Sequence, residues 1–102
     1  MLYAKNSSEK DSDKNLILRF KETQDLEILG ELYNRYTHLI YGVCLKYLKS
    51  REESQDSVIQ IFELLITEIP KHEIDVFKSW LYGVTRNYCL MKLRKQKVQN
   101  KK

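Results

Sequence analysis

Three residues near the end of the chain, Tyr82, Arg86 and Asn87, are of the types that read nucleic acids. Asparagine makes bidentate hydrogen bonds to a base edge, arginine holds a phosphate or a guanine, and an aromatic ring stacks on a base drawn out of its helix. Beyond them come Arg94, Lys95 and Lys97, suited to phosphate contacts that carry no sequence preference. Of the 18 Lys and Arg and 14 Asp and Glu, every acid lies at or before Asp75, and eight of the cations follow it. A chain that offers one end to a polyanion has this distribution. A solvated basic helix end, favoured by the helix dipole, has it too.

Other chemistry lacks its parts. There is no Gly-rich phosphate loop, nucleophile elbow or HExxH run, and neither His38 nor His72 has an obvious carboxylate orienter at helical spacing, so no catalysis is expected and no cofactor. Cys44 and Cys89 lack metal-ligand spacing to the histidines, so two reduced cysteines acting as small hydrophobes are expected rather than a zinc site or a disulfide. No apolar run approaches the roughly 20 residues that span a bilayer, and the polar start MLYAKNSSEK has no signal-peptide core. Membrane insertion is not expected, and a cytoplasmic location is.

The elements that would position these residues are helices. With 102 residues, 42% of them hydrophobic, one proline and three glycines, the chain suits a single small all-α domain. Residues 1–12 are polar and read as a disordered leader. A helical domain over 13–97 follows, then a basic tail over 98–102. Leu16, Ile17 and Phe20 mark a short first helix capped by Asp13. Asp25 can cap a long helix whose apolar positions, from Leu29 to Leu48, keep an i, i+3, i+4, i+7 spacing. Ser50 and Glu53 form a capping box for the next helix, which should end near Ile69 because Pro70 cannot continue the ladder. Its core stripe is Val58, Ile61, Phe62, Leu65 and Ile69. Ile59 and Ile66 fall on a flank among Glu52, Asp56, Gln60 and Glu63, which reads either as a docking strip rimmed by acid or as a helix buried on two sides.

After the polar loop from Pro70 to Asp75, Phe77, Trp80, Leu81, Val84, Tyr88 and Met91 restart helical periodicity, with Asp75 as the expected cap and Trp80 as a structural residue. Lys78, Tyr82, Thr85, Arg86, Asn87 and Lys92 fall on the opposite face. Gly30, Gly42 and Gly83 all lie inside expected helices, where close approach of a neighbouring helix is the usual reason to keep them. The expected fold is a small bundle of three main helices plus a short N-terminal one.

The order of these pieces resembles region 2 of bacterial sigma factors, specifically the extracytoplasmic-function group of the sigma-70 family. The resemblance runs from about Asn15 to Lys95 and rests on Asp56, Gln60 and Phe62 in one helix, and on Phe77, Trp80, Leu81, Arg86, Asn87, Leu93 and Arg94 in the last. It implies a non-catalytic subunit that joins core RNA polymerase, reads the non-template strand of the promoter −10 element and helps separate the strands. Asp56, Ile59, Gln60 and Glu63 take the positions that dock on the coiled coil of the polymerase β′ subunit. The family usually has Gln and Glu where this chain has Ile59 and Gln60, which lowers the negative charge there. By the same resemblance, the 70–75 loop captures an unstacked base with Asn87 nearby, and Lys71 and His72 stand in place of the usual aromatic. An anti-sigma protein is a further partner that the resemblance admits. A sigma factor of this group also has a second helical domain for the −35 element; nothing after Lys102 supplies it, so the chain is expected to be a fragment whose tail is a truncated linker. The competing expectation is a helical protein-interaction module whose basic end only solubilises it. A duplex-binding helix-turn-helix is disfavoured, because no pair of short helices joined by a tight turn precedes the basic segment.

Overall fold

The structure is a computed structural model that describes residues 11–100, with side chains described to residue 97. Five α-helices follow one another and no strand occurs among the described residues: α1 Asp13–Thr23, α2 Leu26–Asn34, α3 Thr37–Leu48, α4 Arg51–Glu68 and α5 Phe77–Asn100, with a 3-10 turn over Ile69–Lys71. Most of the expected leader, and Lys101 and Lys102 of the tail, lie outside the described residues. Of the leader, Asp11 binds Arg19 at 2.9 Å, and Ser12, rather than Asp13, caps α1 by accepting from the Asn15 amide at 3.1 Å. Asp13 is employed elsewhere.

The long helix expected after Asp25 is cut in two. Asp25 does cap its start, accepting from the Glu27 amide at 2.9 Å. At Arg35 and Tyr36, however, the amides bond back three residues, to Leu32 and Tyr33, and Tyr36 leaves helical geometry (φ −123°, ψ 9°). Asp13 holds this corner: it accepts from Arg35 at 2.9 Å and from the Tyr36 hydroxyl. Arg35 also donates to the Asp11 carbonyl at 2.7 Å, and Tyr36 packs edge-on against Phe77, 5.6 Å between ring centres. Periodicity could not show the break, because the apolar spacing runs through it unchanged.

Helix α3 lies against both α4 and α5. Tyr36 meets Phe77 at one end, and Cys89 Sγ lies 3.7 Å from Cys44 Sγ further along, so α3 and α5 run in the same direction. Helix α4 runs the opposite way: its start meets the far end of α5 through Gln96 and Glu53 (2.9 Å), and Tyr88 donates to Gln60 higher up. Ser50 caps α4, accepting from the Glu53 amide at 3.1 Å. Only that half of the capping box forms, since the Glu53 carboxylate accepts from Gln96 instead. The fully buried core joins Leu16 and Phe20 of α1, Leu29 and Leu32 of α2, Ile40 and Cys44 of α3, Ile61 and Leu65 of α4, Ile69, and Leu81 and Cys89 of α5. Both cysteines are free thiols; burial, with Cys89 beside it, pushes Cys44 up to about 12, and burial raises Cys89 as well.

Several inward positions differ from expectation. Ser54, Ser57 and Thr85 are buried, with hydroxyl groups that have no hydrogen-bond partner among the described residues. Thr85 was expected on the polar face of α5; its small side chain faces inward one turn before Cys89. Met91, expected in the core, is exposed, as is Leu90. No neighbouring atom lies within 4 Å of a Cβ built on Gly30, Gly42 or Gly83, so close helix approach is not what these glycines provide.

Candidate nucleic-acid interface

Helix α5 is anchored at its start by Phe77, Leu81 and the half-buried Trp80, whose ring tilts against Phe77 at 6.0 Å. The carbonyl of Val76 accepts the first helical bond, from the Trp80 amide at 3.1 Å. Val76 thus holds the capping position expected for Asp75, which instead lies 3.6 Å from Lys14. With the buried side fixed by Phe77, Leu81, Thr85 and Cys89, helical rotation of about 100° per residue places Arg86, Asn87, Arg94 and Lys97 together on the outward face, with the exposed Leu90 among them. Periodic reading missed Leu90, because its eye was on the opposite stripe. Tyr82 sits half-buried at the edge of the face, and Lys95, though exposed, lies off it. Lys92 is half-buried with its ammonium 6.0 Å from the centre of the Tyr88 ring.

The loop residues are held differently. His72 Nε2 lies 3.2 Å from Glu68 Oε1, and Lys71 lies 3.7 Å from the other oxygen. His72 therefore does have a carboxylate orienter at i−4, contrary to the sequence reading, because the 3-10 turn keeps the chain coiling past Pro70. The His72 ring tilts against Trp80 at 5.7 Å, and its carbonyl accepts from Lys21 at 2.7 Å. Asn87 is not beside this loop: it is seven residues, roughly 10 Å, further along α5 than Trp80. A cavity of about 350 Å³ opens next to the loop, floored by Ile17, Leu18 and Ile74 and edged by Lys14, Lys21, Glu73 and Asp75.

On α4, Asp56, Ile59, Gln60 and Glu63 are all exposed and fall on one outward arc. Ile59 is 61% exposed, whereas Ile66 turns in against the core, so the two isoleucines do not make one strip. No ion pair involves Asp56 or Glu63 among the described residues. Gln60, at the edge of this acidic face, accepts from the Tyr88 hydroxyl of α5. Sequence reading missed this tie, and the one between Glu53 and Gln96, because nothing in the local pattern pairs residues so distant in the chain.

The bundle thus presents an acidic helix and a basic one side by side, and the family model for Sigma-70 region 2 matches residues 32–98. The chain belongs to the sigma-70 region 2 family. Its role is accordingly that of a sigma factor domain in RNA polymerase binding and promoter recognition, and the family is not a class of enzymes. No curated protein and no solved structure matches the chain. For a region 2 domain the match takes in all of α3 and α4 and the described side chains of α5, whereas α1 precedes it. No helix among the described residues is long and apolar enough to cross a membrane.

Proposed function

We propose that this region 2 domain belongs to an extracytoplasmic-function sigma factor, docks on the β′ coiled coil of core RNA polymerase through Asp56, Ile59, Gln60 and Glu63, and reads the non-template strand of the −10 element through α5 and the 70–75 loop. The observation that carries the reading is the pair of opposite faces: an outward acidic arc on α4 with no internal ion pair, beside an α5 that holds no acid at all. Arg94, Lys95 and Lys97 supply affinity through phosphates. Asn87, and Lys71 and His72 beside the loop cavity, supply preference between bases, and capture of a base there assists strand separation. The remainder of the sigma factor, with its −35 domain, and an anti-sigma protein belong to the same reading.

The test combines co-purification with core polymerase and a competition assay on single-stranded −10 oligonucleotides differing at one base. Neutralising Arg94, Lys95 and Lys97 should weaken all oligonucleotides about equally and flatten the salt slope, whereas Asn87→Ala should cost about 1–3 kcal/mol of discrimination. If the chain neither joins core polymerase nor binds DNA in a salt-dependent way, the reading fails. If Asn87→Ala weakens every oligonucleotide alike while the tail changes alter the ranking, the roles are reversed.

A further inference from the structure

The outward face of α5 has an apolar centre. Arg86, Asn87, Arg94 and Lys97 are all exposed, and at about 100° per residue each falls within roughly 60° of Leu90 around the helix axis, two on either side of it. Leu81 lies on the far side, fully buried in the core, while Leu90 is 39% exposed. Along the axis Leu90 stands about 4.5 Å past Asn87 and about 6 Å short of Arg94, so its surface neighbours at i−4, i−3 and i+4 are Arg86, Asn87 and Arg94. None of Arg86, Arg94 and Lys97 joins an ion pair among the described residues.

A single exposed leucine is ordinary on a protein surface. What sets Leu90 apart is that a polyanion on this face has to cross it. Arg86 and Arg94 are roughly 12 Å apart along α5, and a strand with phosphates on both passes over the turn between them, which is where Leu90 stands. Leucine has neither donor nor acceptor, so it cannot pair with the polar edge of a base. Of the groups that distinguish one base from another, the C5 methyl of thymine is the one read by apolar contact. Met91 is also exposed, at 53%, but it lies about 100° further round the axis, outside the arc between Arg86 and Asn87.

We propose that Leu90 is a specificity-determining residue that packs on the 5-methyl group of a thymine in the non-template strand, beside the base met by Asn87. This rests on the reading of α5 as the helix that meets the −10 strand, and adds to it a contact made by shape rather than by hydrogen bonds. Water leaves both the leucine and the methyl group when they meet, so thymine gains over uracil at that one position. The cations around Leu90 hold the strand whichever base is there.

The experiment replaces thymine by deoxyuridine, one position at a time, in single-stranded −10 oligonucleotides, which deletes a methyl group and nothing else. Binding is compared for the parent chain and for Leu90→Ala, Leu90→Met and Met91→Ala. In the parent, deoxyuridine at one position should weaken binding roughly threefold to fourfold, as burial of one methyl group implies. Leu90→Ala should abolish that difference there, leaving the same position insensitive to the methyl group, with a melting temperature close to the parent's. Leu90→Met keeps an apolar side chain and should restore the preference, and Met91→Ala should leave it in place. Equal weakening of thymine and uracil strands by Leu90→Ala overturns the proposal, since the side chain would then support the fold or touch only the sugar. Loss of the preference in Met91→Ala but not in Leu90→Ala overturns it as well. In both cases salt-dependent binding by the parent leaves the promoter reading intact, whereas a parent chain that binds none of these strands overturns both.

Discussion

Helices α4 and α5 carry opposite charge on one scaffold, and they are held in different ways. Helix α5 turns Phe77, Leu81, Thr85 and Cys89 inward along a single line and leaves its opposite face bare. Helix α4 buries Ile61 and Leu65 in its second half but only Ser54 and Ser57 in its first, so its start has little apolar area to hold it. Side chains reaching across to α5 compensate: Glu53 with Gln96, and Gln60 with Tyr88. The acidic face is therefore positioned partly by the basic helix, and the two surfaces differ in chemistry while sharing a frame.

The largest effect should come from the shared core. Leu81→Ala on α5 and Leu65→Ala on α4 each remove a fully buried side chain and should cost about 2–5 kcal/mol in urea unfolding. Trp80→Ala should cost less, below about 3 kcal/mol, because the half-buried ring leaves a smaller cavity. If Trp80→Ala leaves melting unchanged and only DNA binding falls, the ring serves as a stacking platform rather than as the anchor of α5.

Charge reversal separates the two faces more sharply. Asp56→Lys with Glu63→Lys should weaken association with core polymerase by at least tenfold, while single-strand DNA binding stays level or rises. Neither residue takes part in an ion pair among the described residues, so melting should hold. Gln60→Ala is the informative contrast. It removes the acceptor for Tyr88, so it should disturb both activities, and an effect on polymerase alone would show that the tie to α5 does not position the acidic face.

Where sequence sufficed and where it did not follows from the range of the interactions. Asp25 and Ser50 were readable as caps, and Ile61, Leu65 and Ile69 as a stripe, because caps and stripes are set within one or two turns. The four outward residues of α4 were readable for the same reason. The break at Tyr36 was not, since it depends on Asp13 from another helix. Nor was the inward turn of Ser54, Ser57 and Thr85, whose polarity says surface while their small size suits packing.

The seam between α3 and α5 gives a pH signature of its own. Cys44 is raised to about 12 from an ordinary thiol value of 9.0, chiefly by burial, and Cys89 and Tyr36 are raised too. A group whose folded pKa lies above its unfolded value gives stability that is intact below the unfolded pKa and lost as pH climbs toward the folded one. Melting temperature should therefore hold to about pH 9 and fall beyond it. Cys44→Ala with Cys89→Ala should flatten the onset of that fall between pH 9 and 10, before the tyrosines contribute. Alkylation of the native thiols should also be slow and should accelerate with urea in step with global unfolding. Fast labelling in the folded protein would mean that the seam opens locally.

The smallest effect concerns the glycines, and it distinguishes packing from contact. Gly42 is exposed on α3, and Gly83 lies on the same helix as the nucleic-acid face; both are helical, and a Cβ on either meets nothing within 4 Å. Replacing glycine by alanine in a helix interior without a clash reduces the entropy of the unfolded chain, so Gly42→Ala and Gly83→Ala should each stabilise the domain by about 0.5–1 kcal/mol. The gains should add, because the glycines lie on different helices and share no bonded partner. DNA affinity should be unchanged in Gly42→Ala. Equal stabilisation in both variants with a loss of affinity only in Gly83→Ala would place a nucleic-acid backbone against the α5 backbone at that position. A loss of stability in either would mean that a neighbouring helix comes closer in solution than the 4 Å clearance allows.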